Sequence, residues 1–366
     1  PQNFQRMITR VALLVCLLIG WAEGRVKLRY SEFLDGSDLL TTSSTEFACP
    51  NGCMVYSATE KPNLVIVNKG TNMEVTNLNT LATYNNANDK SFIYGTTLPP
   101  AVAYILKNNV GLTGDVFGLY VVYKDAPNYG QSIRVASPGS AYPMFTTTAE
   151  MMTIMTRGNG IRLLTINSDK EMTPKVFATG YDSTQDDCWP LFNATSLSHA
   201  QQTQVDVYSP ILTIRFIGLP AGASANVKVG GDVMVDPPEQ RNCLTISSPG
   251  FHGCTQATSL YQYNLNKIDR KFASTLEGGV NIRIRSKLSI AVESDALVIT
   301  GLQQQPVKLM GQESYLHDFP VNKVNLQLNW QRTMPGSNFA VQMDATKSSA
   351  ITNFFAALAL TMVFVR

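Results

Sequence analysis

From residue 26 onward the apolar positions recur with a period of two, the spacing of strands, where helices would show 3.6. Val26, Leu28 and Tyr30 alternate with Lys27 and Arg29, residues 63–67 form a short apolar run, and residues 101–106 and 117–123 repeat the type. Clusters of Asn, Gly and Pro at 68–70, 85–88, 99–100, 108–109 and 127–130 separate these runs. Short strands between regular turn signals predict a sandwich or barrel. Residues 148–155 read as helix or strand equally well, and Gly158-Asn159-Gly160 then predicts a hairpin into residues 161–166.

The second half carries the clearer pattern. Leu212, Ile214 and Phe216 alternate with Thr213 and Arg215, predicting one dry face and one wet face. Residues 226–229 and 232–235 flank Gly230-Gly231, a two-residue hairpin signal. Val280, Ile282 and Ile284 should face inward, with Asn281, Arg283 and Arg285 outward; Leu288, Ile290 and Val292 continue that pattern after Lys287. Val324, Leu326, Leu328 and Trp330 then close the fold, with no further strand required after Gln331. The expected architecture is all-β: two antiparallel β-sandwich domains of jelly-roll or CUB-like type, at residues 25–180 and 205–332. A polar, acidic stretch at 181–204 separates them as a linker, and 333–344 reads as a short stalk.

The two ends read as addresses. Met7, Arg10, the apolar residues 11–21 and the small residues Ala22 and Gly24 predict a signal peptide within residues 1–24, cleaved after Gly24. Residues 354–365 are apolar yet shorter than the roughly 20 residues that span a bilayer. With small and polar residues ahead of them, they resemble a glycosylphosphatidylinositol (GPI) attachment signal over 345–366. Asp344 is the expected attachment residue, with Gly336 of Gly336-Ser337-Asn338 as the alternative. The membrane is then a partner through the lipid anchor, and the chain between lies outside the cell.

Composition agrees with an extracellular β-protein: charged residues are 15% of 366, and the formal net charge is +2. No Lys/Arg block suited to phosphates occurs, which argues against nucleic acid as a partner. Of six cysteines, Cys16 falls in the signal peptide, leaving an odd number. Spacing pairs Cys49 with Cys53 and Cys243 with Cys254; Cys188 is left over, whether free, bonded to another chain, or displacing one of these pairs. The sequon Asn193-Ala194-Thr195 predicts glycosylation of Asn193.

Catalytic and cofactor chemistry is weakly represented. His199, His252 and His317 lack partners at metal-ligand spacing. Gly130-Gln-Ser132 begins like a nucleophile elbow without its closing glycine, so Ser132 reads as a strand residue. His317 and Asp318 should point to opposite faces of one strand. Asp35 with Asp38, and Asp182 with Asp186 and Asp187, are calcium-compatible but short of a full ligand set. The stripe Arg283, Arg285, Lys287 is either a dock for an acidic glycan or anionic partner, or a solvated strand face. No cofactor is expected.

Residues 48–57, Ala-Cys-Pro-Asn-Gly-Cys-Met-Val-Tyr-Ser, open a strand and an Asn-rich β region. This stretch resembles nematode secreted and GPI-anchored surface proteins that carry CUB-like β-sandwich regions. The resemblance implies jelly-roll modules at the cell surface, roles in epithelial or immune contact, and no enzymatic site. Together these readings predict a glycosylated, GPI-anchored surface protein that binds an extracellular protein or glycan without catalysis. The rival readings are a surface hydrolase whose site assembles only in three dimensions, and a structural coat component.

Overall fold

A computed structural model describes residues 31–34, 44–57, 64–77, 83–86, 91–108, 119–123, 131–136, 144–156, 160–178, 189–191, 203–209, 211–230, 233, 241–248, 251, 267–312, 314–334 and 336–347. The signal peptide, Asp35, Asp38, Asp182, Asp186, Asp187, Cys188, Asn193, His199, His252, Cys254 and residues 348–366 lie outside them. The described chain is all-β, with no α-helix and one 3-10 turn at Glu293–Asp295. No helix among the described residues is long and apolar enough to cross a membrane.

The first nine strands are β1 (Ser31–Leu34), β2 (Ser44–Cys49), β3 (Cys53–Ser57), β4 (Leu64–Asn68), β5 (Met73–Asn77), β6 (Thr83–Asn86), β7 (Ser91–Leu98), β8 (Ala101–Asn108) and β9 (Leu119–Tyr123). They build two antiparallel sheets, β1-β9-β3-β7-β6 and β2-β8-β4-β5. Phe47, Ile66, Tyr104 and Leu106 from one sheet meet Val55, Leu98, Leu119 and Val121 from the other in a shared core. The Cys49–Cys53 disulfide is formed and ties β2 to β3, and so one sheet to the other. Gly52 between them has φ of 92°, a left-handed value that glycine adopts without steric cost. The turn flagged at 68–70 is real: Asn68 Oδ1 accepts the N–H of Gly70 at 2.9 Å, and Asn72 takes the left-handed φ of 54° that asparagine tolerates.

The remaining strands are β10 (Gln131–Ala136), β11 (Met144–Thr147), β12 (Met151–Thr156), β13 (Ile161–Ser168), β14 (Thr173–Phe177), β15 (Thr203–Val207), β16 (Ile211–Ile217), β17 (Ala225–Val229), β18 (Cys243–Ser247), β19 (Lys267–Ser289), β20 (Leu297–Thr300), β21 (Val307–Leu309), β22 (Ser314–Gln331) and β23 (Asn338–Lys347). They form a four-stranded sheet, β10-β12-β16-β14, and a ten-stranded sheet, β11-β17-β13-β15-β18-β23-β19-β22-β20-β21. Both sheets mix strands from either side of residues 181–204. The sheets therefore divide between β9 and β10, and the expected boundary at 181–204 is corrected. The cause is long-range pairing, such as β13 with β15 and β14 with β16, which local composition cannot reveal.

The ten-stranded sheet folds over itself. β19 is irregular between Ala273 and Val280, where Gly278 and Gly279 have φ of 74° and 63°. Such bulges bend and twist a strand. Beyond the bend, Ile268, Phe272, Leu326, Leu328, Leu297 and Ile299 pack back onto Leu244, Ile246, Val341 and Met343 of β18 and β23. The opposite face of the central strands packs on the four-stranded sheet through Val205, Val207, Leu163, Met152, Ile154, Ile214 and Phe216. Three layers result, and in the middle one residues 204–207 of β15, 243–247 of β18 and 339–343 of β23 are buried on both faces. Each large apolar side chain fully buried there contributes about 1.5–3 kcal/mol.

This layering explains several departures from the sequence pattern. Thr213 is buried rather than wet, sharing a hydrogen bond of 3.1 Å with Thr153. β12 and β13 lie in different sheets, so the hairpin expected at Gly158–Gly160 is a crossover between layers. The second expected hairpin, at Gly230-Gly231, is also corrected, because β17 already has β11 and β13 on its two edges. β10 with β12 and β15 with β18 are parallel pairs within an otherwise antiparallel arrangement. The stalk reading of 333–344 is overturned: β23 sits between β18 and β19 near the middle of the sheet.

At the crossover, a Cβ on Gly160 would fall 2.4 Å from the Val207 carbonyl oxygen and 3.0 Å from Tyr208 Cα. Both are backbone atoms of a packed segment. Gly160→Ala is expected to lower the unfolding free energy by about 1–3 kcal/mol, the scale of overpacking. Equal denaturant midpoints for the two proteins would refute this close approach.

Candidate functional site: the polar face of the long strands

The arginine stripe of β19 meets three other strands in register. One row across the sheet reads Cys243, Asp344, Arg283, Asp318; the next reads Thr245, Gln342, Arg285, Leu316; a third reads Ser247, Ala340, Lys287, Ser314. The first row runs from the interior to solvent, with Cys243 buried, Asp344 half-buried, and Arg283 and Asp318 exposed. Leu316 is 66% exposed on this polar face.

Arg285 is fixed from several sides. Its Nη2 donates to the carbonyl oxygens of Pro190 at 2.9 Å and Leu191 at 3.1 Å, and to Gln342 Oε1 at 3.0 Å. The guanidinium lies 4.0 Å from the centroid of the Trp189 ring, which in turn meets Phe251 edge-on at 6.0 Å. A planar delocalised cation suits both the ring and the carbonyls, as lysine would not. Burial lowers the Arg285 pKa to about 10. Gln342 Nε2 then donates to Asp344 Oδ2 at 2.9 Å, and the Cys243 thiol also bonds Asp344.

Burial, then the neighbouring Asp344 carboxyl, pushes the Cys243 thiol well above its usual range. Burial likewise raises the Asp344 carboxyl, against the hydrogen bonds from Cys243 and Gln342. A thiol held protonated in this way is a poor nucleophile. Cys243 is free, so its expected bridge to Cys254 is corrected: its side chain is turned into the core beside Asp344. Arg283 makes a two-pronged pair with Asp318 at 2.9 and 3.2 Å, and its hydrogen bond draws the Asp318 carboxyl below the usual range. Of the stripe, Arg283 is thus neutralised by Asp318 and Arg285 is drawn inward onto neutral acceptors and the Trp189 ring, which weakens the reading of a simple cationic dock.

The other sequence candidates are not brought to this face as a group. Ser132 is a residue of strand β10. His317 and Asp318 do point apart: the His317 ring lies tilted against Phe319, with centroids 4.7 Å apart, while Asp318 holds Arg283. Among the described residues no cluster of three or more His, Cys, Asp or Glu is placed to hold a metal. Gly336 lies two residues before β23, and Asp344 lies within it.

Two polar centres were not flagged by the sequence. In one, Arg162 donates to both carboxylate oxygens of Asp206 at 2.7 and 2.9 Å, with Arg270 at 3.8 Å, all buried. The alternation Gln204, Asp206 in β15 looks like an ordinary wet face, so no local signal marked it. In the other, buried Asp295 accepts the N–H groups of Thr333 at 2.8 Å and Met334 at 3.1 Å, and the Thr333 hydroxyl. Burial raises its pKa, but hydrogen bonds from Ser337 and Thr333 and the backbone N–H groups outweigh that and bring it from 3.8 to about 2. A depressed carboxyl contributes stability above its unfolded pKa and loses it as pH falls through the folded value. Asp295→Asn is therefore expected to cost about 2 kcal/mol at neutral pH, the scale of a hydrogen bond to a charged group. The gap to wild type should close as pH falls from about 4 toward about 2; a pH-independent gap would contradict it.

No family model matches the chain, and no curated protein matches it. Among solved structures, the CUB1-EGF-CUB2 domains of rat MASP-1 align over 57% of this chain and 99% of theirs, at 8% identity and a TM-score of 0.21. An uncharacterized Listeria monocytogenes protein aligns over 84% of this chain and 29% of its own, at 11% identity and 0.19. A triple jelly roll protein from an archaeal virus turret covers 82% and 81%, at 8% and 0.17. CUB domains and jelly rolls are the classes that the sequence resemblance implies. Overlaps this weak carry no argument about function, and the architecture rests on the strand pairing itself.

Proposed function

We propose that this protein works outside the cell, tethered by a GPI anchor, and recognises an extracellular protein or glycan through the exposed end of the β19–β22 face. The Cys49–Cys53 bridge supports the compartment, since disulfides persist in oxidising surroundings. The observation that carries the binding half is Leu316, a large apolar side chain left open between the Arg283–Asp318 pair and the Arg285–Trp189 stack. An apolar centre rimmed by paired charges and a partly exposed aromatic is the anatomy of a recognition patch. Cys243, Asp344 and Arg285 are occupied in holding that face together, so the cluster acts as scaffold and not as reactive centre.

Two measurements test this. Treating intact expressing cells with a phosphatidylinositol-specific phospholipase should release the protein; retention on the surface overturns the anchor. The released protein should bind immobilised glycans or epithelial cell surfaces, and Leu316→Asp should weaken that binding by about tenfold or more, the range of an interface hot spot. Unchanged binding by a folded Leu316→Asp variant overturns the assignment of the face.

A further inference from the structure

Resting on the reading of Leu316 as a recognition patch, we propose that the partner met there is a second copy of this chain, joined edge to edge along residues 314–318 about a two-fold axis at Leu316. β19 pairs with one edge of β22 from Ser314 to Gln331, but β20 covers the other edge only at residues 327–329. Among the described residues no strand pairs with that second edge between Ser314 and Pro320. Ser314, Leu316, His317, Asp318 and Pro320 are all exposed. An uncovered edge is a template for another strand.

The direction of its backbone groups follows from Pro320, which stands opposite Asn281 of β19. Proline is tolerated in a strand where its missing N–H would point away from the neighbour. The Asn281 carbonyl agrees, since it is turned from β22 toward β23, where it accepts the Thr346 hydroxyl at 3.4 Å. Antiparallel ladders alternate, so Asp318, Leu316 and Ser314 also aim N–H and C=O at the open edge.

A two-fold axis sets two identical strands antiparallel, and their faces must match, so the centre of pairing falls on a residue. Centred on Asp318, two carboxylates stand opposite each other and Leu316 meets a proline that has no N–H to give. Centred on His317, two imidazoles meet, Leu316 faces a carboxylate and Ser314 faces Pro320. Centred on Leu316, two exposed leucines meet, Ser314 lies opposite the second copy's Asp318, and Pro320 falls beyond the paired residues. Like charges directly opposite destabilise a sheet and apolar pairs stabilise it, which selects the last register. Asp318 is then matched on both sides, by Arg283 of its own copy and by the Ser314 hydroxyl of the other. So short a ladder falls below the roughly 1,200 Å² of stable complexes, and the tether proposed above is what concentrates the copies enough to pair.

Cysteine cross-linking in the full-length protein from expressing cells tests the axis. Opposed Cα atoms in hydrogen-bonded pairs of such a ladder lie about 5.5 Å apart, within disulfide reach. Under mild oxidation with copper phenanthroline, which takes up the two electrons released, Leu316→Cys should yield the peptide spanning residue 316 joined to itself. Asp318→Cys, facing Ser314, should not link to itself. Sedimentation equilibrium over a concentration series should show a reversible monomer–dimer equilibrium for the wild type. Leu316→Asp, which sets two carboxylates at the axis, should raise the dimer dissociation constant by about tenfold or more while unfolding at the wild-type midpoint. A link between two copies of residue 318 in place of 316 overturns the register and the inference with it. A wild type monomeric throughout, with no link at residue 316, overturns the second copy as partner. In that event, weakened glycan or cell binding by Leu316→Asp leaves the recognition face standing, and unchanged binding removes both.

Discussion

Replacing Phe339 by alanine is expected to lower the unfolding free energy by about 3–5 kcal/mol, as for large aromatic truncations in packed cores. Phe339 is fully buried at the start of β23 and meets the Trp330 ring edge-on, with centroids 5.4 Å apart. Its N–H is held by Ser248 Oγ at 2.8 Å, so the backbone cannot follow a shrinking side chain inward, and the cavity stays open. Denaturant unfolding followed by tryptophan fluorescence would report it directly, since Trp330 lines the cavity. Phe339→Leu should recover most of the loss, and Val102→Ala, at a position 89% exposed, should change stability by no more than about 0.5 kcal/mol. A loss below about 1 kcal/mol for Phe339→Ala would mean that residues 338–347 contribute little to the fold, as a stalk would.

A core strand was read as a stalk although its pattern was legible: Phe339, Val341, Met343 and Ala345 alternate with Asn338, Gln342, Asp344 and Thr346. The apolar tail that follows drew the segment into the anchor signal instead. What the alternation does not show is that the other face is covered too, with Ala340 and Gln342 as buried as Val341 and Met343. Where one face does meet water, the sequence speaks plainly: Val280, Ile282 and Ile284 are buried as their alternation required, as are Leu326, Leu328 and Trp330. The Cys49–Cys53 bridge was readable for a similar reason, because four residues and a glycine turn make it a local matter. Sheet membership was not, since each pairing that defines the layers joins segments far apart in sequence. The candidate face shows both cases. Arg283 and Arg285 were visible as a stripe, whereas Asp318, Gln342, Asp344 and Trp189, which neutralise and position it, come from three other segments.

Removing the Asp206 carboxylate should be among the most damaging single changes available in this protein, costing about 3–5 kcal/mol. The carboxylate is fully buried and takes a two-pronged pair from Arg162, a hydrogen bond from Gln204 Nε2 at 2.8 Å, and the charge of Arg270 at 3.8 Å. Arg162 and Asp206 belong to neighbouring strands β13 and β15, but Arg270 belongs to the half of β19 that folds back over them. The cluster therefore clasps the two halves of the bent sheet. Burial of Tyr208 beside it, with its hydroxyl donating to the Val233 carbonyl at 2.8 Å, raises that phenol and keeps it neutral. One anion thus answers two guanidiniums, and Asp206→Ala leaves both cations without it in a medium that solvates them poorly. Asp206→Asn should lose nearly as much, because its amide keeps a single acceptor oxygen and no charge. Substituting the three together, Arg162→Met with Asp206→Leu and Arg270→Met, should be less damaging than Asp206→Ala alone, since no charge is then stranded. If the triple variant is the weaker of the two, the charges themselves hold the sheet closed; if Asp206→Ala unfolds at the wild-type midpoint, the clasp has no role in stability.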